Sequence, residues 1–279
     1  MTVLVTGSRG KVGSLLVHLL VERGVPVRAG SSAPDELTLP AGAEPVRLSL
    51  TDPATFPAAL AGVSSVFLYC EPAHIDEFIE AAKAAGVEHL VLMSADAVLR
   101  PGAEQNSIAR PHWLVEQAVK ASGLAWTVLN PGSLASNAGS WKYVLKARGA
   151  VTLPFPDAYA DPTYEPDVAE AAFAALTRPE VRGRNYHLTG PQTLTFREQV
   201  AVISEVTGRD IPVQAIPPSV WLANRPGFIP EDIAIALIEY WSTCDKPVPL
   251  SRDFEILIGR PCRPFRAWAE DHAAAFAAA

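Results

Sequence analysis

The stretch Val3-Leu-Val-Thr-Gly7-Ser-Arg-Gly10-Lys-Val-Gly13 decides how this chain is read. Val3 to Val5 form an apolar run short enough for a buried strand. Glycines follow at 7, 10 and 13, and then a helix with Leu15, Leu16, Leu19 and Leu20 on its apolar face. A strand turning through glycines into a helix is the βα unit that binds a dinucleotide. Glycine permits the tight turn, lets the backbone approach a pyrophosphate, and lets the helix lie close to the strand. The helix start offers N–H groups and a positive dipole end to the phosphates. Gly7, Ser8, Arg9, Gly10, Lys11, Val12 and Gly13 are therefore the expected phosphate loop. The competing reading is a tight βα turn that holds no ligand.

Working outward, strands are expected at 25–29, 44–50, 65–70, 89–94 and 125–130. Helices are expected from Asp52-Pro53, over 75–85 and over 111–121. Apolar strands alternating with helices imply a parallel sheet covered on both faces, an α/β doubly wound fold of Rossmann type. Residues 1–130 read as the dinucleotide-binding core. Residues 131–279 read mostly as a small mixed substrate-binding or lid region that partly completes the core. There, helices are expected over 166–176, 230–241, 251–258 and 264–277, with a strand at 184–188. Thr195-Phe-Arg-Glu198 has the form of a capping box. The alanine-rich tail reads as a fraying helix, and Trp113 and Trp126 as core.

Composition narrows the function. The chain has 279 residues, 49% hydrophobic, and a net charge of −7. That balance gives no electrostatic case for nucleic acid or an anionic membrane. No segment is long and apolar enough to span a bilayer. Three cysteines, Cys70, Cys244 and Cys262, are too few and too scattered for a disulfide framework or a zinc site. A cytoplasmic protein, monomer or homodimer, acting on a small hydrophobic molecule is the expectation.

Cofactor choice is read after the second strand. An acid there binds the ribose 2′-hydroxyl of NAD, whereas basic residues accommodate the 2′-phosphate of NADP. This chain has Arg28 within the strand and Ser31 and Ser32 at its end, with no acid. Arg9 and Lys11 add positive charge in the loop. NADP is therefore expected over NAD. Tyr69 and Cys70, ending the fourth strand, and Pro131 and Gly132, following the sixth, complete the expected cofactor contacts.

The glycine loop resembles that of the NmrA-like atypical short-chain dehydrogenase/reductases. So do His112-Trp-Leu-Val-Glu116, Ser122-Gly-Leu-Ala-Trp-Thr-Val-Leu-Asn-Pro-Gly-Ser133, Asp167-Val-Ala-Glu-Ala171, Tyr186-His-Leu-Thr-Gly-Pro191 and Thr207-Gly-Arg-Asp210. The resemblance spans nearly the whole chain. It implies NADPH-dependent reduction of a hydrophobic carbonyl, quinone or imine-like acceptor. The alternatives, in order, are a cofactor-binding redox sensor without turnover and a redox-neutral cyclase, isomerase or epimerase. Three positions depart from the family pattern. Ser32 stands where many members carry Arg, Ser49 where an Asp commonly ends the third strand, and Asn130 where Arg-Pro-Gly is common.

The Tyr-x-x-x-Lys pair of the wider superfamily is missing. By spacing its positions fall on Ile108 and His112. His112 is the expected substitute, as a proton carrier or ribose contact, and Glu116 one turn on could orient it. Otherwise His112 is a helix-start residue. Ser94, at the end of the fifth strand, is expected either to hold a substrate oxygen or to cap a turn. Glu71 and His74 are an acid and a base on the same rim, able to move protons if they meet and ordinary turn residues if they do not.

Overall fold

The computed structural model describes residues 1–227 and 229–277. Six parallel strands alternate with helices: β1 (Val3–Val5), β2 (Val27–Ser31), β3 (Ala43–Arg47), β4 (Ser65–Tyr69), β5 (His89–Met93) and β6 (Ala125–Pro131). Between them run α1 (Lys11–Glu22), α2 (Phe56–Leu60), α3 (Ile75–Ala84) and α4 (Ala109–Ala121). Then come α5 (Trp141–Arg148), short strands β7 (Val151–Leu153) and β8 (Tyr159–Ala160), and α6 (Glu165–Thr177). The chain next re-enters the main sheet as β9 (Arg184–Leu188), parallel to β6. The sheet has seven strands in the order β3-β2-β1-β4-β5-β6-β9. Its direction of growth reverses between β1 and β4, and a crevice opens there at the carboxyl ends.

Strand alternation sorts the core into two layers. Val3, Val5, Phe67, Val91 and Leu129 face α1 and α6, while Leu4, Val66, Leu68, Leu90 and Val128 face α2, α3 and α4. The alanines of α6 let it lie close against α1. The remaining elements are β10 (Leu194–Thr195), α7 (Phe196–Thr207), β11 (Val213–Ala215), α8 (Pro218–Ala223), α9 (Glu231–Ser242), α10 (Asp253–Ile258), α11 (Phe265–Asp271) and α12 (Ala273–Ala277). Thr195 and Glu198 form the capping box of α7: each side chain holds the other's backbone N–H, at 3.1 and 2.7 Å.

Several details differ from expectation. The buried stripe of α1 is Val12, Gly13, Leu16, Val17 and Leu20, leaving Leu15 exposed. β2 begins after Pro26 and runs on to Ser31, so proline precedes the ladder. Trp113 and Trp126 are only half-buried, and the Lys120 ammonium covers the Trp126 ring at 5.7 Å. The tail does not fray over α12: Phe276 is fully buried, and Arg209 donates to the Phe276 and Ala277 carbonyls. Ala278 and Ala279 lie outside the described residues.

A charged cluster ties the C-terminal segment to the core. Asp167, fully buried in the first turn of α6, takes Arg260 Nη2 at 2.8 Å and Arg263 Nη2 at 2.6 Å. Those guanidiniums keep its carboxyl below the usual range, although burial acts the other way. Among the described residues no helix is long and apolar enough to cross a membrane.

Candidate functional site

The loop from β1 to α1 is shaped for close approach. Gly7 adopts φ +64°, which favours glycine. A Cβ on Gly10 would lie 3.1 Å from the Gly7 carbonyl oxygen, and one on Gly13 would lie 2.4 Å from it. Gly13 is thus required where α1 packs on the Gly7–Ser8 backbone, while Gly10 meets that single oxygen alone. Ser8 is buried and its hydroxyl donates to the Val5 carbonyl at 2.8 Å, which fixes the turn. Val12 is buried in the core. The first turn of α1 carries no acidic residue, so nothing opposes an anion at its amino end.

Above the loop lies a cleft of about 270 Å³, at the carboxyl ends of β1 to β4. It is lined by Gly7, Ser8, Arg9, Ser31, Ser32, Tyr69, Cys70 and Glu71, all singled out in the sequence. Thr6, Gly30 and residues 48–51 join them. The latter follow β3 and were marked only by Ser49 and its family contrast. Tyr69 is half exposed and lies over Gly7, while its backbone N–H donates to Thr6 Oγ1 at 2.7 Å. Ser31 Oγ accepts from Ala33 N–H and orders the turn after β2. This donor-rich cradle, with no side chain at residues 7 and 10 and α1 drawn close through Gly13, fits a dinucleotide: pyrophosphate at the helix start and adenosine beside Ser31 and Ser32.

Other expected contacts separate. Arg28 does not reach the cleft. It stands mid-strand opposite Glu44, pairs with that carboxylate at 3.0 Å, and donates to the Ala59 and Ala61 carbonyls. Arg9 reaches the rim but pairs with Glu36 at 3.0 Å, an exposed bridge of small energy. Lys11 crosses to the far side, its ammonium 2.6 Å from Ser136 Oγ. Pro131 and Gly132 end β6 beside β5 and β9. Cys70 lines the cleft, and burial pushes its thiol up to about 12, which disfavours the thiolate.

Glu71 and His74 do not meet. Glu71 Oε1 caps Ala73 N–H at 3.0 Å, and His74 pairs with Glu77 at 3.1 Å. Nor does Glu116 hold His112. Its buried carboxylate takes Lys120 at 2.6 Å, Asn130 at 2.6 Å and Asn185 at 3.2 Å. Asn130 also donates to the Ala95 carbonyl. The residue that replaces the family's arginine therefore braces α4 and the turn after β5 against the sheet. His112 lies in the first turn of α4, half-buried, with Nδ1 unpartnered. Burial lowers its pKa, and the charge of Glu116 only partly opposes this. Ser94 is buried at the end of β5; its hydroxyl has no partner at hydrogen-bond distance, though it lies near enough to Glu116 to favour that group's charge.

Two features were missed in the sequence. Asp161, in the loop between β8 and α6, is buried with Oδ2 unpartnered. Desolvation, then the charge of Asp96, pushes its carboxyl up to about 7. A second cleft, of about 500 Å³, opens beyond β5 and β9 between residues 96–100, His187 and residues 243–251. Nothing local in the sequence joins those segments.

Comparison with known proteins completes the site. A family model described as NAD(P)H-binding matches residues 7–179. The (4-alkanoyl-5-oxo-2,5-dihydrofuran-3-yl)methyl phosphate reductase of Streptomyces griseus is 38% identical over 284 residues, 99% of each chain. The NAD(P)H azoreductase of Xenophilus azovorans is 32% identical, covering 99% of this chain and 100% of its own. In fold, a NADPH-dependent quinone oxidoreductase of Escherichia coli superposes with a TM-score of 0.80 at 22% identity, over 96% of this chain and 98% of its own.

Proposed function

Since the chain belongs to the NAD(P)H-binding family, in its NmrA-like group, we propose that it is a NADPH-dependent reductase of a small conjugated acceptor, a carbonyl, quinone or imine-like compound. The observation that carries this reading is the glycine cradle opening into the crevice where strand order reverses. Relatives that span the full length and reduce a butenolide phosphate and azo compounds support it.

The bound cofactor would supply hydride. Gly7 to Gly13 would hold its pyrophosphate through backbone N–H groups and the α1 dipole. Ser31, Ser32 and Arg9 would hold a 2′-phosphate, Arg9 exchanging its weak bridge to Glu36 for the more highly charged group. Ser94 and His112, on β5 and α4, would face the acceptor. With neutral His112 lacking a carboxylate partner, its part is to position and donate one hydrogen bond.

The test is calorimetric titration with NADPH and NADH, followed by an acceptor panel of quinones, azo dyes, triarylmethane dyes and the butenolide phosphate. Tighter binding of NADPH and oxidation of it by at least one acceptor are expected. Ile108, standing where the superfamily's tyrosine would be, favours a second reading, a redox sensor that binds without turnover. Binding of NADPH with no acceptor reduced would select the sensor. Absence of nucleotide binding would overturn both.

A further inference from the structure

The second cleft carries charge that the reductase reading leaves unused. Arg100, Lys246 and His187 line it, against a single carboxylate, Asp96. Arg100 is held in place from one side: it donates to the Tyr240 hydroxyl at 2.6 Å and its guanidinium lies 4.1 Å over the Tyr240 ring. Its contact with Asp96 is one long bond of 3.3 Å, so most of the donor fork remains for another anion. Lys246 makes no ion pair among the described residues. His187 is positioned through its backbone, whose N–H donates to Asp253 at 2.7 Å. Its Nε2 is buried with no partner. A buried nitrogen left unpaired is costly unless something arrives to pair with it.

We propose that this cleft is a subsite for an anionic arm of the substrate, a phosphate monoester, with Arg100, Lys246 and His187 as its donors. The proposal rests on the reductase reading and names the substrate class. A phosphate monoester carries close to two negative charges at neutral pH, matching a pocket lined by an arginine, a lysine, one carboxylate and an unpartnered imidazole nitrogen. Arginine suits the tetrahedral oxygens as a fork and lysine as a point charge. The cleft starts two residues past Ser94, so a substrate can put its acceptor at the carboxyl edge of β5 and its arm among these donors. Val248, between prolines 247 and 249, and Leu250, just after them, form an apolar lip for the linking carbons. A full-length relative is a reductase of a dihydrofuranylmethyl phosphate, itself a phosphate monoester, which agrees with this chemistry.

The probe is phenyl phosphate, titrated into protein saturated with NADPH so that the glycine loop is filled, and followed by tryptophan fluorescence. The Arg100→Gln/Lys246→Gln variant is expected to bind it about 10- to 100-fold more weakly, with NADPH affinity unchanged. The single Lys246→Gln variant alters only an exposed side chain, and covers the case in which the double variant does not fold. With the butenolide phosphate as substrate, KM should rise in the variants while its dephosphorylated form is unaffected. Equal affinity of parent and variants for phenyl phosphate overturns the proposal. So does binding seen only in nucleotide-free protein. Should NADPH itself fail to bind, the reductase reading falls, and the same titration on a Gly10→Asp background still decides the subsite.

Discussion

The carboxyl group of Asp161 fills the space a side chain at residue 132 would need. A Cβ on Gly132 would come within 2.2 Å of Asp161 Oδ2. On the other side a Cβ on Gly190 would come within 2.2 Å of the Pro162 carbonyl oxygen. Gly132, just past β6, thus makes room for a buried, half-partnered acid, and Gly190, just past β9, makes room for the backbone of the loop that carries it. Asp161 Oδ1 accepts one long hydrogen bond from Ser133 N–H, at 3.5 Å.

Asp161→Asn is expected to stabilise the protein above neutral pH. The folded carboxyl is raised from 3.8 to about 7, so its contribution is favourable below pH 4 and is lost as pH rises through 7. Removing the charge should raise stability by about 2 kcal/mol at pH 8.5, a discounted fraction of the full shift. The gain should shrink by pH 5. Urea melts of parent and variant at both pH values measure it; a variant less stable at pH 8.5 would show that the carboxylate is well solvated.

His89 produces an opposite dependence. It is fully buried on β5, bonded at Nε2 to Thr127 and unpartnered at Nδ1. Burial, aided by the charge of Arg182, lowers it from 6.5 to about 4. Its neutral form stabilises the fold fully above pH 6.5, and that stability is lost as pH falls toward 4. The full swing is about 3 kcal/mol. Between pH 4 and 6.5 these two groups act in opposite directions, while His112, lowered by burial like His89, adds to the loss on acidification. Asp161→Asn should therefore lose stability steeply on acidification, and His89→Leu should gain it relative to the parent.

Gly10→Asp and Gly13→Ala should separate binding from folding. At residue 10 the new Cβ meets one carbonyl oxygen at 3.1 Å, which a small shift relieves, and the carboxylate then repels a pyrophosphate. Nucleotide binding should vanish with little change in melting. At residue 13 the 2.4 Å overlap involves backbone on both sides. Gly13→Ala should cost about 1 to 3 kcal/mol. Retained NADPH affinity in Gly10→Asp would show that the loop does not hold phosphate.

His112→Phe should reduce turnover far more than NADPH affinity. Loss of one hydrogen-bond donor facing the acceptor costs about 10² to 10³ in rate. Because burial lowers the pKa of His112, the parent's rate should show no step at 6.5; any step it causes lies below. Equal turnover of variant and parent, with any accepted substrate, would make His112 a helix-start residue only.

Much of this was legible in the sequence because it is local. The glycine loop, the alternation that orders the sheet and the Thr195–Glu198 cap each lie within a few residues. Arg28 was misread because a strand alternates: its neighbours point into the cleft or core while it faces Glu44 across the ladder. Residues 48–51 line the cofactor cleft only because β3 is placed beside β2. Arg100, His187 and Lys246 come from three distant segments, and no periodicity links them. Asp161 sits in a proline-rich loop with no pattern of its own, and its partners Gly132 and Gly190 meet it only in three dimensions.

The place of β9 bears on how the chain is born. β6 is complete at Pro131, but the strand that covers its open edge ends at Leu188. α6, which roofs α1, arrives only slightly earlier. A nascent chain leaving the ribosome therefore carries an unpaired, apolar edge for more than fifty residues of synthesis. During that interval the half with the glycine loop is the aggregation-prone part, and a fragment cut at residue 130 keeps that condition permanently.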